Sequence, residues 1–450
     1  MQFILSHYGH RYVCHLVRER SLDDALRRDD DRLLCELLAH GAVPCEGNDA
    51  LAPLVARGLV ERVADDVSLD AVRLRYARNP LEHMSRVVFE YTTVCNLDCE
   101  HCRNTNLEAT AEAKPEALAR VVDAVIPLGI TRFDFIGGEV TLFGKGWLDV
   151  VEHARSQGAT HASVMTSGWF VGERDFWAAG RRYADDAAYF AELRARGLTH
   201  VVFSLDGPEE VHDRTRKTPG LYRRVIESFD RVRAAGLEPR VSVIVGLGVS
   251  SRVALEWISS ISERIYGAAS DDDLAIGRLF RDESNYVSNL IYLGGVVKLR
   301  RSRGDSRALL SDDLRCKNFF RPMPTLRIKA TGEVSLCPLV EAGDGYGNVH
   351  ERDIIDVLNH LHEAFVYRLH AEDRIGEYRR FVDATLFGGS LDHLCSARTA
   401  VNMIARAMHE RGVSHDDVDA IRAINREVAE KLGAQPRELR NRANGHARPR

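Results

Sequence analysis

From residue 86 onward, apolar and polar positions switch between two rhythms. "RVVFEYTT" (86–93) is a short run of β-branched and aromatic residues and reads as a strand. "PEALARVVDAVIPLG" places Pro115 at a favoured first helical position, with Leu118, Val121, Val122 and Val125 repeating at helical spacing. "ITRFDFIGG" (130–138) predicts a strand, "WLDVVEHARSQG" a helix and "HASVMTSG" a strand; a long Ala-rich stretch to Gly197 predicts a helix. "THVVFSLDG" is the next strand, followed by the helix "YRRVIESFDRVRAAG", which closes on Gly236. "EPRVSVIVG" and "LAIGRLF" bring the set to six strands, with "VALEWISSISERI" as a helix between them. This alternation predicts parallel βαβ units. Six units fall short of the eight of a closed TIM barrel and predict an open or partial one.

The flanks follow other patterns. "FILSHYGHRYVCHLV" reads as a β-hairpin turning about Gly9, with Cys14 in its second arm. "SLDDALRRDDDRLLCELLAHG" reads as a helix with Ser21 as N-cap and Asp24 three positions on, and "NDALAPLVARGLVERV" as another helix running into an apolar edge. "RRSRGDSRALLSDDL" (300–314) reads as a linker. A cysteine-bearing segment follows, in which "TLRIKATGEVSLC" predicts a hairpin with Gly332 in its turn and "GYGNVHERDIIDVLNHL" starts a helix. Two more helical stretches come next; Ser414 and Asp417 are candidate caps for the second, and 433–450 reads as a disordered basic tail. The domains expected are thus 1–85, 86–300, 301–432 and the tail.

Composition adds limits. The 450 residues are too many for one ordinary core, and 45% hydrophobic with 28% charged residues is that of a soluble globular protein. A net charge of −5 gives no argument for nucleic acid or an anionic membrane as partner. The N-terminus lacks a charged n-region, and no stretch is apolar for long enough to span a bilayer, so a cytoplasmic location is expected. Nine cysteines in a reducing compartment point to metal or redox chemistry before disulfides.

Cys95, Cys99 and Cys102 form C-x3-C-x2-C, with no fourth cysteine nearby. A structural zinc site wants four closed ligands, whereas a 4Fe–4S cluster held by three thiolates leaves one iron open to a small molecule. The spacing alone is compatible with either a cluster or an incomplete zinc site. The position is more telling. The cysteines follow the first strand of the set, at the mouth where a βα barrel keeps its active site. The second strand ends in Gly137-Gly138-Glu139, the third in Thr166-Ser167-Gly168 and the fourth in "SLDG", Ser204 to Gly207, followed by "HDRTR". Glycines allow close approach to the backbone, and a carboxylate can hold an ammonium group.

In these residues the chain resembles the radical S-adenosylmethionine (SAM) enzymes, whose pattern is C-x3-C-x2-C after the first strand of a partial (βα)6 barrel and GGE on the second. The resemblance covers residues 86 to about 280. It implies that Cys95, Cys99 and Cys102 bind a 4Fe–4S cluster whose open iron is chelated by SAM. It further implies that Gly137, Gly138 and Glu139 hold the SAM amine, that Ser204 and Arg216 contact the cofactor, Arg216 at its carboxylate, and that His101 lies beside adenine. Ser167 and Asp206, at the third and fourth strand ends, complete the implied cofactor-binding set. The implied reaction is reductive cleavage of SAM to a 5′-deoxyadenosyl radical that abstracts hydrogen from a C–H bond, with flavodoxin or ferredoxin as electron donor. Two positions depart from the pattern: His101, commonly aromatic, and Val140, often proline.

Cys316, Gly332 and Cys337 form C-x15-G-x4-C, which with Cys395 resembles the auxiliary-cluster extension called SPASM or, in its shorter form, twitch. The resemblance implies a second Fe–S cluster, of the 4Fe–4S type, on Cys316, Cys337 and Cys395, with Asp392 or His393 available as a further ligand. Cys14, Cys35 and Cys45 have no partner at ligand spacing and read as ordinary thiols. Residues 1–85 resemble in pattern the small winged-helix-like peptide-recognition domain fused to peptide-modifying radical SAM enzymes, with a structural lid or dimerisation module as the plain alternative. The expected fold class is therefore α/β: a partial (βα)6 barrel with a winged-helix-like N-terminal domain and a twitch-like C-terminal extension. The expected substrate is a ribosomally made precursor peptide, against a small-molecule oxidoreductase acting on an aminocyclitol or sugar, and against a non-catalytic iron–sulfur or zinc sensor.

Overall fold

Strand β4, Arg86–Thr92, is buried along almost its whole length, as a strand covered on both faces must be. In the computed structural model, which describes residues 1–19, 28–99, 102, 111–243, 257, 260, 325–336, 346–387 and 394–433, it lies inside a seven-stranded sheet. β5 (Arg132–Gly137), β6 (His161–Thr166), β9 (His200–Leu205) and β10 (Glu238–Val243) pair parallel in the order β10-β9-β6-β5-β4. The helices Pro115–Val125, Gly146–Ser156 and Leu221–Ala234 are three of the crossovers, each burying an apolar stripe that includes Val121, Val151 and Phe229 respectively. These elements follow the expected alternation. The strand expected at "LAIGRLF" and most of the helix before it lie outside the described residues.

One feature of the sheet was not expected. β11 (Thr325–Ile328) joins it parallel to β4, with Thr325 opposite Arg86 and Ile328 opposite Phe89. β12 (Val334–Ser335) returns antiparallel to β11 through a turn at Gly332, whose φ is +84°. The hairpin itself is the one the sequence predicts.

The N-terminal segment departs from expectation. β1 (Gln2–Leu5) is a strand, but the hairpin about Gly9 does not form: His7–Glu19 is a helix, and Cys14 lies on it. Ser6 accepts the Gly9 backbone N–H at 2.9 Å, an N-cap obscured by the aromatic and β-branched residues that follow. Gly9 serves close packing rather than a turn, since a Cβ there would lie 1.9 Å from the Leu59 carbonyl oxygen. The second helix runs Asp29–His40; Ser21 and Asp24 lie outside the described residues. The helix expected over "NDALAPLVARGLVERV" is only Ala52–Ala56, because Gly58 at φ +68° breaks it and Val60–Val63 becomes β3. β2 (Val43–Pro44), β1 and β3 form an antiparallel sheet with β3 at its edge, backed by the helix Leu69–Ala77.

A third correction concerns the stretch before Gly197. It opens with a hairpin, β7 (Arg174–Ala178) and β8 (Arg181–Asp185), and only Asp186–Ala195 is helical. Phe176, Ala178 and Tyr183 point inward while Trp177 is exposed, the period-two pattern of a strand pair; Ala179 and Gly180, at φ +46° and +75°, make the turn.

The N-terminal sheet and the seven-stranded sheet share one continuous core, in which Phe3, Leu5 and Leu81 join Val121, Leu128 and Ile354. Hydrogen bonds cross the junction: Tyr8 Oη donates to the Ala124 carbonyl at 2.6 Å and Arg11 Nε to that of Leu128 at 3.1 Å. Asn359, on the helix Ile354–His360, accepts from Tyr8 N and donates to the Gly58 carbonyl, both at 2.9 Å. The helices Phe365–Ala371, Ile375–Arg379, Leu394–Glu410 and Val418–Gly433 build a second core around Leu369, Ile404 and Ile424. Asp417 caps the last of them, its carboxylate accepting from Ala420 N at 3.0 Å.

Candidate active site

The C-terminal ends of β4, β5, β6 and β9 converge on the cysteine loop. Beyond Thr92 the chain runs through Val94 into Cys95, and Cys102 N donates to the Cys99 carbonyl at 3.1 Å, which folds the loop tightly. The Cys95 sulfur accepts the Leu97 N–H at 3.4 Å. Burial, and after it the Glu139 carboxylate, pushes the Cys95 thiol up to about 12; burial pushes Cys99 up to about 11, with Arg216 pulling the other way. Loading a metal on these sulfurs must therefore release protons.

Gly137 and Gly138 hold this loop. Gly138 N donates to the Thr92 carbonyl at 2.7 Å and Glu139 N to that of Val94 at 2.8 Å. A Cβ on Gly137, whose φ is +145°, would sit 2.1 Å from Thr92 O, and one on Gly138 would sit 2.0 Å from Val94 O. The close approach these glycines permit is made by the chain's own backbone at Thr92 and Val94.

Glu139 is 1% exposed. Its Oε1 accepts from Thr141 Oγ1 and Thr166 Oγ1, both at 2.7 Å; its Oε2 accepts from Ser167 N at 2.8 Å and Ser167 Oγ at 2.7 Å. Trp169 Nε1 donates to Thr141 Oγ1 at 2.8 Å and fixes that hydroxyl in turn. Every one of these donors is neutral, and among the described residues no cation pairs with Glu139. Ser204 is half-buried at the end of β9. Arg216 ends the helix Glu209–Arg216 and clasps Asp206, Nε to Oδ2 at 2.9 Å and Nη2 to Oδ1 at 3.2 Å, while its Nη1 reaches the Cys99 sulfur at 3.9 Å. Lys217, left-handed at φ +53°, pairs with Asp98 inside the cysteine loop.

Cys95, Cys99, Cys102, Glu139, Ser167, Asp206 and Arg216 therefore gather at one mouth, with Ser204 at the strand end beside them. His101, Cys316 and Cys337 lie outside the described residues, as do Asp392, His393 and the side chain of Cys395. Sequence reasoning missed Thr141, Trp169, and the Asp98–Lys217 pair. Thr141 had a signal, as a hydroxyl two residues after a carboxylate favours a local turn.

The donor set fits a cluster better than a single ion. Tetrahedral zinc with thiolates at ~2.3 Å brings sulfurs within roughly 4 Å of each other. Among the described residues only His10, Cys14 and Glu82 bring donor atoms within 4.8 Å of one another. That trio is half-buried and engaged in other contacts. Asn79 Oδ1 accepts from Leu81 N, so its Nδ2 donates to His10 Nδ1, leaving the proton on the Nε2 that faces Cys14. Arg18 meanwhile holds Glu82 at 2.7 Å.

Comparison with known proteins agrees with this geometry. Residues 89–255 match the model of the Radical SAM superfamily. A GTP 3′,8-cyclase of Thermodesulfovibrio yellowstonii is 31% identical over 163 residues, covering 35% of this chain and 46% of the relative. An Fe-coproporphyrin III synthase of Methanosarcina barkeri is 26% identical, covering 34% of this chain and 35% of the relative. The chain thus spans less than half the length of these curated relatives. Among solved structures, SuiB of Streptococcus suis bound to precursor peptide SuiA aligns over 88% of this chain and 90% of its own, at 14% identity and a TM-score of 0.46. A likeness at that level carries no weight for function. No helix among the described residues is long and apolar enough to cross a membrane.

Proposed function

We propose that the chain is a radical SAM iron–sulfur enzyme whose substrate is a ribosomally made precursor peptide. The observation that carries the enzyme reading is the meeting of three thiols, a buried carboxylate with no cation among the described residues, and a buried guanidinium at one end of the sheet. Cys95, Cys99 and Cys102 would hold a 4Fe–4S cluster. When bound, the cluster and SAM would supply one-electron cleavage and hydrogen abstraction. Glu139 offers its negative charge to the SAM amine. Its four short hydrogen bonds fill its acceptor sites, so the amine replaces a hydroxyl donor such as Thr166 Oγ1. Arg216 keeps N–H donors for the SAM carboxylate beyond those used on Asp206 and Cys99. Cys316, Cys337 and Cys395 would hold the auxiliary cluster.

The peptide reading is supported by a groove of about 720 Å³ beside edge strand β3. Ile4, Val63, Val67, Leu74, Leu336 and Tyr367 are among its lining residues. An extended peptide could add to β3 and seat apolar side chains there. The two curated relatives are named for small-molecule chemistry, which keeps a small-molecule substrate as the second reading.

Anaerobic reconstitution with a strong reductant should yield 5′-deoxyadenosine from SAM, and Cys95/Cys99/Cys102→Ala should abolish it. About eight irons should be found, and about four after Cys316/Cys337/Cys395→Ala. Because residues 1–85 share the barrel's core, peptide binding is better tested by Leu74→Glu, at a half-exposed groove position, than by deletion. Unchanged peptide conversion by that variant, with turnover of a polyol by wild type, would move the assignment to the small-molecule enzyme.

A further inference from the structure

Arg216 is clamped along one edge and aimed with the other. Asp206 takes Nε and Nη2, and the planar fork then fixes where Nη1 points, which is at the Cys99 sulfur, 3.9 Å away. The three groups are 7%, 1% and 6% exposed for Arg216, Asp206 and Cys99, so water screens none of them well. His212, fully buried, accepts the Asp206 backbone N–H at 3.2 Å and holds the carboxylate's own strand end in place.

We propose that the Arg216–Asp206 pair sets the reduction potential of the cluster on Cys95, Cys99 and Cys102. The inference rests on the cluster reading above and assigns the pair a role beyond contact with SAM. Reduction adds one electron from an external low-potential donor to a site already rich in thiolate charge. An N–H···S bond and a positive charge at Cys99 favour that electron. Asp206 is a positioning residue that also opposes it: the carboxylate aims the guanidinium and offsets part of its charge.

The two partners are therefore expected to move the potential in opposite directions, which loss of local structure would not do. The test is a redox titration of the anaerobically reconstituted full chain, poised with mediators before SAM is added. It follows the reduced-cluster EPR signal that changes when SAM is introduced. Arg216→Met should lower the reduction equilibrium roughly tenfold, ~59 mV for one electron. Asp206→Asn should shift it upward by less than that. The double variant, which removes both charges together, should return close to wild type. If Arg216→Met takes up no iron, the Asp206→Asn and double variants decide. An upward shift in the first with reversal in the second supports the proposal. Variants that load iron and shift together, or not at all, overturn it and leave the cluster reading standing. Wild type that binds no iron overturns both.

Discussion

Strand β5 and the turn after it carry two buried carboxylates, five residues apart, at opposite ends of the barrel. Asp134 sits at the N-terminal end, 4% exposed, with Arg86 Nε at 3.5 Å, His161 Nε2 at 3.2 Å and Ser163 Oγ at 2.5 Å. Burial works to raise this carboxyl, yet Arg86, His161 and Ser163 together hold it well below the usual carboxylate range. Glu139, at the C-terminal end, is as deeply buried, but among the described residues it is met only by hydroxyls and two backbone N–H groups. Asp134 has a cation beside it, whereas among the described residues Glu139 has hydrogen-bond donors but no cation. If the proposed role of Glu139 holds, one end of the sheet closes its charge within the chain and the other leaves it for a cationic ligand.

The comparison breaks if Asp134→Asn is mild. Removing one member of a buried ion pair should cost about 3–5 kcal/mol, read as a lower denaturation midpoint. Replacing both members, Arg86→Met with Asp134→Leu, should recover much of that loss. Glu139→Gln should behave in the opposite sense. It should cost only about 1 kcal/mol of stability but weaken SAM binding by about 1.5–3 kcal/mol, the worth of a hydrogen bond to a charged group. Calorimetric titration of cluster-loaded protein with SAM would measure it; equal SAM affinity in the Glu139→Gln variant and wild-type protein would sink the role given to this carboxylate.

The smallest effect expected is in acid. Buried His7 is lowered to about 2, chiefly by desolvation, and His200 is lowered for the same leading reason. A histidine lowered on folding favours the native state above its unfolded pKa and works against it as pH falls below about 6.5. Each such group then removes up to about 1.4 kcal/mol per pH unit. Glu238, at the same end as Asp134, is held at about 2, first by its hydrogen bond with His200. Its contribution is present above the usual carboxylate range and is lost as pH falls towards 2, as is that of Asp134. Unfolding free energy should therefore decline from about pH 6.5 and more steeply below about pH 4.5. A flat profile between about pH 7 and 5 would contradict the buried neutral histidines.

The parallel strands and their helices were legible because periodicity in buried βα units is strong, and the cysteine loop because its spacing is unusual. The segment around Gly9 was not, since its aromatic and β-branched residues suit a strand and only contact with Leu59 explains the glycine. The β7–β8 hairpin was missed because alanines suggested a helix. The pairing of β11 with β4 joins segments too far apart for any local pattern to announce. Glu139 was named as a candidate from its strand-end position, but its hydroxyl cage depends on residues from separate strand ends and had no sequence signal of its own.

That β11–β4 pairing also has a consequence for the order of events at the ribosome. Thr325 lies opposite Arg86, so β4 keeps an open edge until the chain has been made well past residue 325. At roughly 5–20 residues per second, that is a wait on the order of 10–50 s. Throughout it the strand that leads into Cys95 is paired on one side at most, and the three thiols stand on an unfinished support. Under the proposed cluster reading, iron loaded earlier would meet a loose loop, so cluster insertion is expected to follow the pairing of β11 with β4.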